Sequence, residues 1–233
     1  FVTTSQDIHL PNGDIYIKKH MDGVIFAGEV DIRVIEEFRK QSIPVVLVNN
    51  YLDMDGLVCI SADHYGGAVQ ATEYLCKLGH CKIGLLSGRF SPQVSEARIE
   101  GFVKTLAKYD IPVDDRFIAD IEPALEDGEE IMTRMLRGVD RPTAFFCTND
   151  TIAAGAMKAV TRAGLRVPED IAIIGFDDSY ISRVVEPELT TVRIDAAKMG
   201  CLAMQTLFDL IAGMPVEKAH IQIPTELIVR GTA

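Results

Sequence analysis

Two adjacent carboxylates, Asp177 and Asp178, follow a short apolar run from Ile171 to Ile174. The run has the composition of a buried strand, and polar sites of α/β proteins lie at the carboxyl ends of such strands. Neighbouring side chains diverge, so the two groups cannot act together on one atom as a catalytic pair. We predict that Asp177 accepts hydrogen bonds from ligand hydroxyl groups and that Asp178 caps the helical turn over 179–184. The alternative is that the pair only caps that turn.

Two more polar residues stand where a predicted strand gives way to a helix. Asn149 follows the apolar run Ala144–Cys147, where it can cap the next helix or offer a donor and an acceptor to a ligand. Arg98 falls early in a predicted helix, and its guanidinium can bind two ligand oxygens or pair with a neighbouring glutamate. Both residues are therefore candidates for binding a polar ligand.

Three weaker candidates complete the predicted site. Asn49 ends the apolar run Pro44–Val48, and by itself it is typical of a loop asparagine. Phe90 and Phe146 could each present a flat apolar face to a sugar or a base, and either could equally belong to the core.

The composition argues against several classes of function. The net charge of -11 disfavours direct contact of these residues with nucleic acid. The sequence predicts no metal site, because its five cysteines form no C-x-x-C pair and its five histidines are scattered. The odd number of cysteines favours a reducing compartment. Phosphate-loop, dinucleotide and G-x-S-x-G motifs are missing, so we expect neither a cofactor nor an enzyme. No apolar run is long enough to span a membrane.

The elements that must position these residues alternate along the chain, which is typical of α/β folds with parallel sheets covered by helices. The predicted strands are Gly23–Ala27, Pro44–Val48, Lys82–Ser87, Phe117–Ile121, Ala144–Cys147, Ile171–Ile174, Thr191–Ile194 and Ile221–Ile223. The predicted helices are Val30–Gln41, Tyr65–Leu78, Ser95–Tyr109, Leu125–Arg137, Thr151–Ala163 and Ala196–Ala212. They fall into two blocks, each with the pattern of a doubly wound unit.

An ordered set of short segments resembles the effector-binding domain of the LacI/GalR family of bacterial transcription regulators. The segments begin at Met21 and end at Arg230, and as an ordered set they are specific. They are MDGVI (21–25), IPVVLVN (43–49), DHYGGA (63–68), ATEYL (71–75), LGH (78–80), RIEGF (98–102), PTAFFCTND (142–150), VPEDIAIIGFDDSYISRVVEPELTTVR (167–193) and PTELIVR (224–230).

The resemblance implies a periplasmic-binding-protein-like fold of two doubly wound parallel-sheet subdomains joined by three crossovers. It places residues 1–60 and 193–219 in an N-terminal subdomain and residues 61–192 and 220–233 in a C-terminal subdomain. The first five residues resemble the second strand of such a domain. We therefore expect that the first strand and helix are missing, which would leave a gap in the sheet, and that the helix-turn-helix domain lies outside this chain.

The resemblance also implies a function. A small effector, such as a sugar or sugar phosphate, would bind in the cleft between the subdomains through Arg98, Asn149, Asp177, Asn49 and Phe146. Hinge closure would then alter the affinity of a cytoplasmic regulator for operator DNA. Many relatives carry Asp where this chain has Asn49, so its effector can differ. The alternative is a periplasmic sugar-binding protein of a transport system.

The resemblance further implies a homodimer. Its interface would lie on the first block, on the predicted helix Thr151–Ala163 and on the segment Ser179–Val185. Ile152, Ala156, Met157 and Val160 would give that helix an apolar stripe. One buried face of a monomer explains the same stripe equally well.

Overall fold

The computed structural model of the protein describes residues 2–3, 21–28, 30–50, 52, 54–138, 140–215 and 219–233. The chain divides into two compact units. Unit 1 contains Phe1–Ala62 and Asp195–Ile223, and unit 2 contains Asp63–Ile194 and Pro224–Ala233. The chain thus passes from one unit to the other three times.

The described residues form eleven strands and six α-helices. The strands are β1 (Val2–Thr3), β2 (Val24–Ala27), β3 (Val45–Val48), β4 (Val58–Ala62), β5 (Ile83–Gly88), β6 (Ile118–Ile121), β7 (Ala144–Cys147), β8 (Ala172–Asp177), β9 (Thr190–Arg193), β10 (His220–Ile223) and β11 (Glu226–Ile228). The helices are α1 (Ile32–Lys40), α2 (His64–Lys77), α3 (Pro92–Lys108), α4 (Leu125–Met135), α5 (Asp150–Arg162) and α6 (Ala196–Ile211). No helix among the described residues is long and apolar enough to cross a membrane.

Unit 1 contains a parallel sheet in the order β1-β2-β3-β4-β10. Strand β10 pairs with β4, so residues 220–223 belong to unit 1 and not to the C-terminal subdomain predicted for them. The predicted gap in the sheet is not found between the described strands, because β1 pairs directly with β2. On one face, α1 buries Val34, Ile35 and Phe38 against the sheet. Helix α6 packs on β2, β3 and β4.

Unit 2 contains a six-stranded sheet in the order β11-β9-β8-β7-β5-β6. The predicted parallel sheet is confirmed, and one antiparallel strand is added at its edge, because β11 runs antiparallel to β9. The pairs β5–β6, β5–β7, β7–β8 and β8–β9 are all parallel. Consequently the carboxyl ends of β5, β7 and β8 lie at one edge of the sheet, which is the edge where the predicted polar residues stand.

Helices pack against each other in two pairs, α2 with α3 and α4 with α5, and each pair contributes to its own hydrophobic cluster. The predicted apolar stripe of α5 is buried within unit 2, where it shares a cluster with α4. Its members are Ile152, Ala156, Met157 and Val160. The stripe therefore stabilises one monomer, and it is not an exposed surface for a second copy. A short 3-10 turn, Tyr180–Arg183, follows β8.

Candidate functional site

Arg98 lies at the centre of the polar edge of unit 2. Arg98 is only 3% exposed, although most arginines of helices reach solvent. The guanidinium donates to the backbone oxygen of Thr148 and to Asp177 Oδ1, the latter at 3.3 Å. Its carbon atom lies 4.0 Å from the centre of the Phe176 ring and 4.9 Å from that of Phe90. The side chain is thus fixed by hydrogen bonds in its plane and by aromatic rings.

His64, which is not among the predicted site residues, also contacts this guanidinium. It is the first residue of α2, and its Nδ1 lies 3.2 Å from Arg98 Nη2. A guanidinium can only donate, so Nδ1 accepts and the proton of the neutral ring is on Nε2. Burial, and secondarily the charge of Arg98, lower the pKa of His64 to about 3. Its place in the sequence, at the start of α2 and two residues after β4, could have identified it as a candidate.

Asp177 is the last residue of β8, and its side chain is 36% exposed. Burial raises the pKa of Asp177 to about 6, even though the positive charge of Arg98 opposes the change. Its φ angle is +106° and that of Asp178 is +50°, so both residues adopt left-handed backbone conformations. Such conformations are costly for residues other than glycine and are often found at functional sites. Asp177 is thus the accessible carboxylate of the pair.

Asp178 has a different role from the predicted cap. Its side chain is 2% exposed and forms ion pairs with Arg183, Arg193 and Arg230. The 3-10 turn begins after Ser179, and its cap involves no side-chain hydrogen bond. Burial disfavours the ionised carboxylate, but hydrogen bonds from Arg230 and Arg193 outweigh burial and lower the pKa of Asp178 to about 2. The predicted cap is therefore wrong, and Asp178 joins three segments of unit 2.

Asn149 lies at the same edge of the sheet, directly after Thr148. Its Oδ1 accepts the backbone N–H of Ile152 at 2.8 Å, so it caps α5. The cap uses the amide oxygen and fixes the orientation of the side chain. The capping interpretation is therefore correct, and it is compatible with a ligand at the amide nitrogen.

Phe146 and Asn49 are placed differently from the other candidates. Phe146 is 0% exposed and lies between Phe102 and Phe176 in the core, so the core interpretation holds and its expected contact with a ligand is wrong. Phe90 is the less buried of the two aromatic rings beside Arg98, the other being Phe176. Asn49 belongs to unit 1, where its Oδ1 accepts the N–H of Ala62 at 3.3 Å.

The edge of unit 2 therefore combines a fixed cation, a partly exposed carboxylate, an oriented amide and an aromatic ring. These groups can donate and accept hydrogen bonds in several directions, which suits a ligand with hydroxyl groups. Among the residues that the structure describes, no group of three or more His, Cys, Asp or Glu side chains could hold a metal ion.

Comparisons with known proteins agree with this fold. The profile of the family described as "Periplasmic binding protein-like domain" matches residues 72–233. The chain is 34% identical over 223 residues to the probable HTH-type transcriptional repressor ExuR of Bacillus subtilis, covering 95% of this chain and 67% of that protein. It is 36% identical over 225 residues to the HTH-type transcriptional repressor PurR of Actinobacillus pleuropneumoniae, covering 93% and 66%. It thus spans about two thirds of the length of these relatives.

A solved structure gives the same result. The LacI family transcriptional regulator of Enterococcus faecium with bound ribose superposes with a TM-score of 0.83 at 28% identity, covering 91% of this chain and 79% of that one. The profile match, the two repressors and this structure agree on one assignment. The chain belongs to the LacI/GalR family of transcriptional regulators, and it contains the periplasmic-binding-protein-like domain of that family.

Proposed function

We propose that the polar edge of unit 2 binds a small polyhydroxy effector, a sugar or sugar phosphate, in a cytoplasmic bacterial regulator. The observation that carries the proposal is the Arg98–Asp177 pair, with a 3.3 Å contact and a carboxylate that is still partly exposed. A hydroxyl group can donate to Asp177 and accept from Arg98 or from the amide of Asn149. The ribose bound to the Enterococcus faecium relative supports a sugar as the ligand class.

The proposed site should distinguish between sugar epimers, because its polar groups are largely shielded from water. Hydrogen bonds to charged groups contribute about 1.5–3 kcal/mol each, and a buried polar group without a partner costs a similar amount. An epimer with one misplaced hydroxyl group would leave either Asp177 or Arg98 unsatisfied. Phe90 would supply an apolar surface for the face of the sugar ring.

The mechanism that we propose for the whole regulator also involves unit 1 and a DNA-binding domain. Effector binding would add Asn49 of unit 1 to the contacts, close the domain around its three crossovers, and alter DNA affinity through a DNA-binding domain outside this chain. The transcriptional repressors among the relatives support this over a periplasmic sugar-binding protein.

We also propose that the regulator is a homodimer. Tyr180 and Val184, at the 3-10 turn of unit 2, are apolar and largely exposed, which supports this segment as part of the interface. The buried stripe of α5 does not contribute.

The proposal is tested by calorimetry and thermal shift with ribose, other pentoses and hexoses, their phosphates, and nucleosides. Ligand binding raises the melting temperature by mass action. We expect a sugar or sugar phosphate to bind, and Asp177→Asn to weaken its binding by about 100-fold through the loss of charge-assisted bonds. Glu96→Gln, an exposed position on α3, is the control and should bind normally. Binding of nucleosides alone, no binding, or an unchanged affinity of Asp177→Asn would each overturn the proposal.

A further inference from the structure

Asp150 is a buried carboxylate that the proposed ligand contacts do not use. It is the first residue of α5 and is 1% exposed. Asn149 already caps this helix, so Asp150 is free to make tertiary contacts. Its Oδ2 accepts the backbone N–H of Ser179 at 2.6 Å, and its Oδ1 accepts the hydroxyl group of Thr191 at 2.5 Å. One carboxylate therefore connects α5, β9 and the turn that follows β8.

The Thr191 hydroxyl extends this connection by one residue. Its oxygen accepts the backbone N–H of Asp178 at 3.4 Å while the hydroxyl donates to Asp150. The two N–H groups that directly follow Asp177 are thus both held by Asp150, that of Ser179 directly and that of Asp178 through Thr191. Both contacts engage the backbone of the turn, so they act directly on its conformation.

The turn is a segment whose conformation must be imposed by its surroundings. Asp177 and Asp178 have φ angles of +106° and +50°. Each such residue costs about 1–3 kcal/mol and persists only where neighbouring groups hold it. Without the bonds to Asp150, the chain could relax to an extended conformation that turns the Asp177 carboxylate away from Arg98.

Gly175 provides the room for this arrangement. A Cβ atom at this position of β8 would overlap Asp150 Oδ1 and crowd Leu189. The carboxylate therefore packs directly against the strand, two residues before Asp177. Any larger residue at Gly175 would push the Asp150 carboxylate away from β8, so the glycine allows this contact.

We infer that Asp150 is a positioning residue of the effector site, whose carboxylate holds the turn after β8 so that Asp177 faces Arg98. This inference rests on the proposed function, because it acts through the ligand contact of Asp177. Asp150 itself touches no ligand. Its negative charge also contributes to the raised pKa of Asp177, after burial and against the charge of Arg98.

The test is a double-mutant cycle on effector affinity, measured by calorimetry with the sugar or sugar phosphate found in the screen. Asp150→Asn and Thr191→Val should each weaken binding by about 10-fold, whereas Thr191→Ser, which keeps the hydroxyl group, should stay within about 3-fold of the original protein. In an Asp177→Asn background, Asp150→Asn should change the affinity by less than about 3-fold, because its effect passes through Asp177.

Thr72→Val is the matched control. Thr72 is a fully buried threonine of unit 2 whose hydroxyl donates within α2, so this change should lower the melting temperature and leave affinity unchanged. If Asp150→Asn does not fold, the comparison of Thr191→Val with Thr191→Ser still decides. Equal affinities of these two variants, or a full effect of Asp150→Asn in the Asp177→Asn background, would overturn the inference. An unchanged affinity of Asp177→Asn alone would instead overturn the proposed function.

Discussion

Asp177 and Asp178 are neighbours of the same residue type, yet they have opposite environments. Asp177 is 36% exposed, contacts one arginine, and has a pKa raised to about 6. Asp178 is 2% exposed, contacts three arginines, and has a pKa lowered to about 2. The protein thus uses one carboxylate to stabilise unit 2 and leaves the other insufficiently paired. A group that the fold does not satisfy can be satisfied by a ligand.

Asp178→Ala should strongly lower the free energy of unfolding. Removing one partner of a buried ion pair costs about 3–5 kcal/mol, because the remaining charges stay buried without compensation. Arg230, which is 12% exposed, would keep only a longer ion pair of 3.6 Å with the exposed Glu188. Urea unfolding measures the free energy of unfolding. A loss below about 1 kcal/mol would contradict the structural role of Asp178.

Asp177→Asn should have a different pH dependence from the original protein. The folded protein binds a proton at Asp177 more tightly than the unfolded chain, because the pKa is about 6 instead of 3.8. Ionisation therefore costs the original protein stability as the pH rises from about 4 to about 6, and the variant escapes this cost. Unfolding at several pH values should show the variant gaining relative to the original across that window.

The sign is reversed at Asp178. Its pKa lies below 3.8, so its stabilising contribution is present above that pH and is lost as the pH falls towards about 2. A relative gain of Asp177→Asn below pH 4 instead of above it would show that Asp177 is a second structural carboxylate, and the comparison would fail.

The two phenylalanines near the site extend the comparison. Phe146→Leu should cost about 1–2 kcal/mol of stability because it leaves a cavity in the core, and it should leave effector affinity unchanged. Phe90→Leu should weaken effector binding more than it changes stability, because its ring lies beside the Arg98 guanidinium. Unfolding and calorimetry on both variants check the pair. A loss of affinity in Phe146→Leu alone would reverse the assignment.

The periodicity of apolar residues predicted all six α-helices to within about three residues of their ends, since helical spacing is a long and redundant signal. Strand β4 was missed because Ser61 shortens its apolar run, and β11 because it is only three residues long. Arg98 and Asp177 were identified by position and by family resemblance. The role of Asp178 could not be predicted, because its partners Arg193 and Arg230 lie 15 and 52 residues away in the sequence.

The arginines that contact Asp178 should differ in how much they contribute to stability. Arg183 is 59% exposed and its Nη2 lies 3.3 Å from Asp178 Oδ2. An exposed ion pair contributes about 0.5 kcal/mol or less, because water screens it and the long side chain loses entropy. Arg183→Ala should therefore leave the free energy of unfolding almost unchanged, and Arg230→Ala should lower it measurably. Equal losses in the two variants would mean that the total charge around Asp178, and not the buried contact with Arg230, keeps its pKa low.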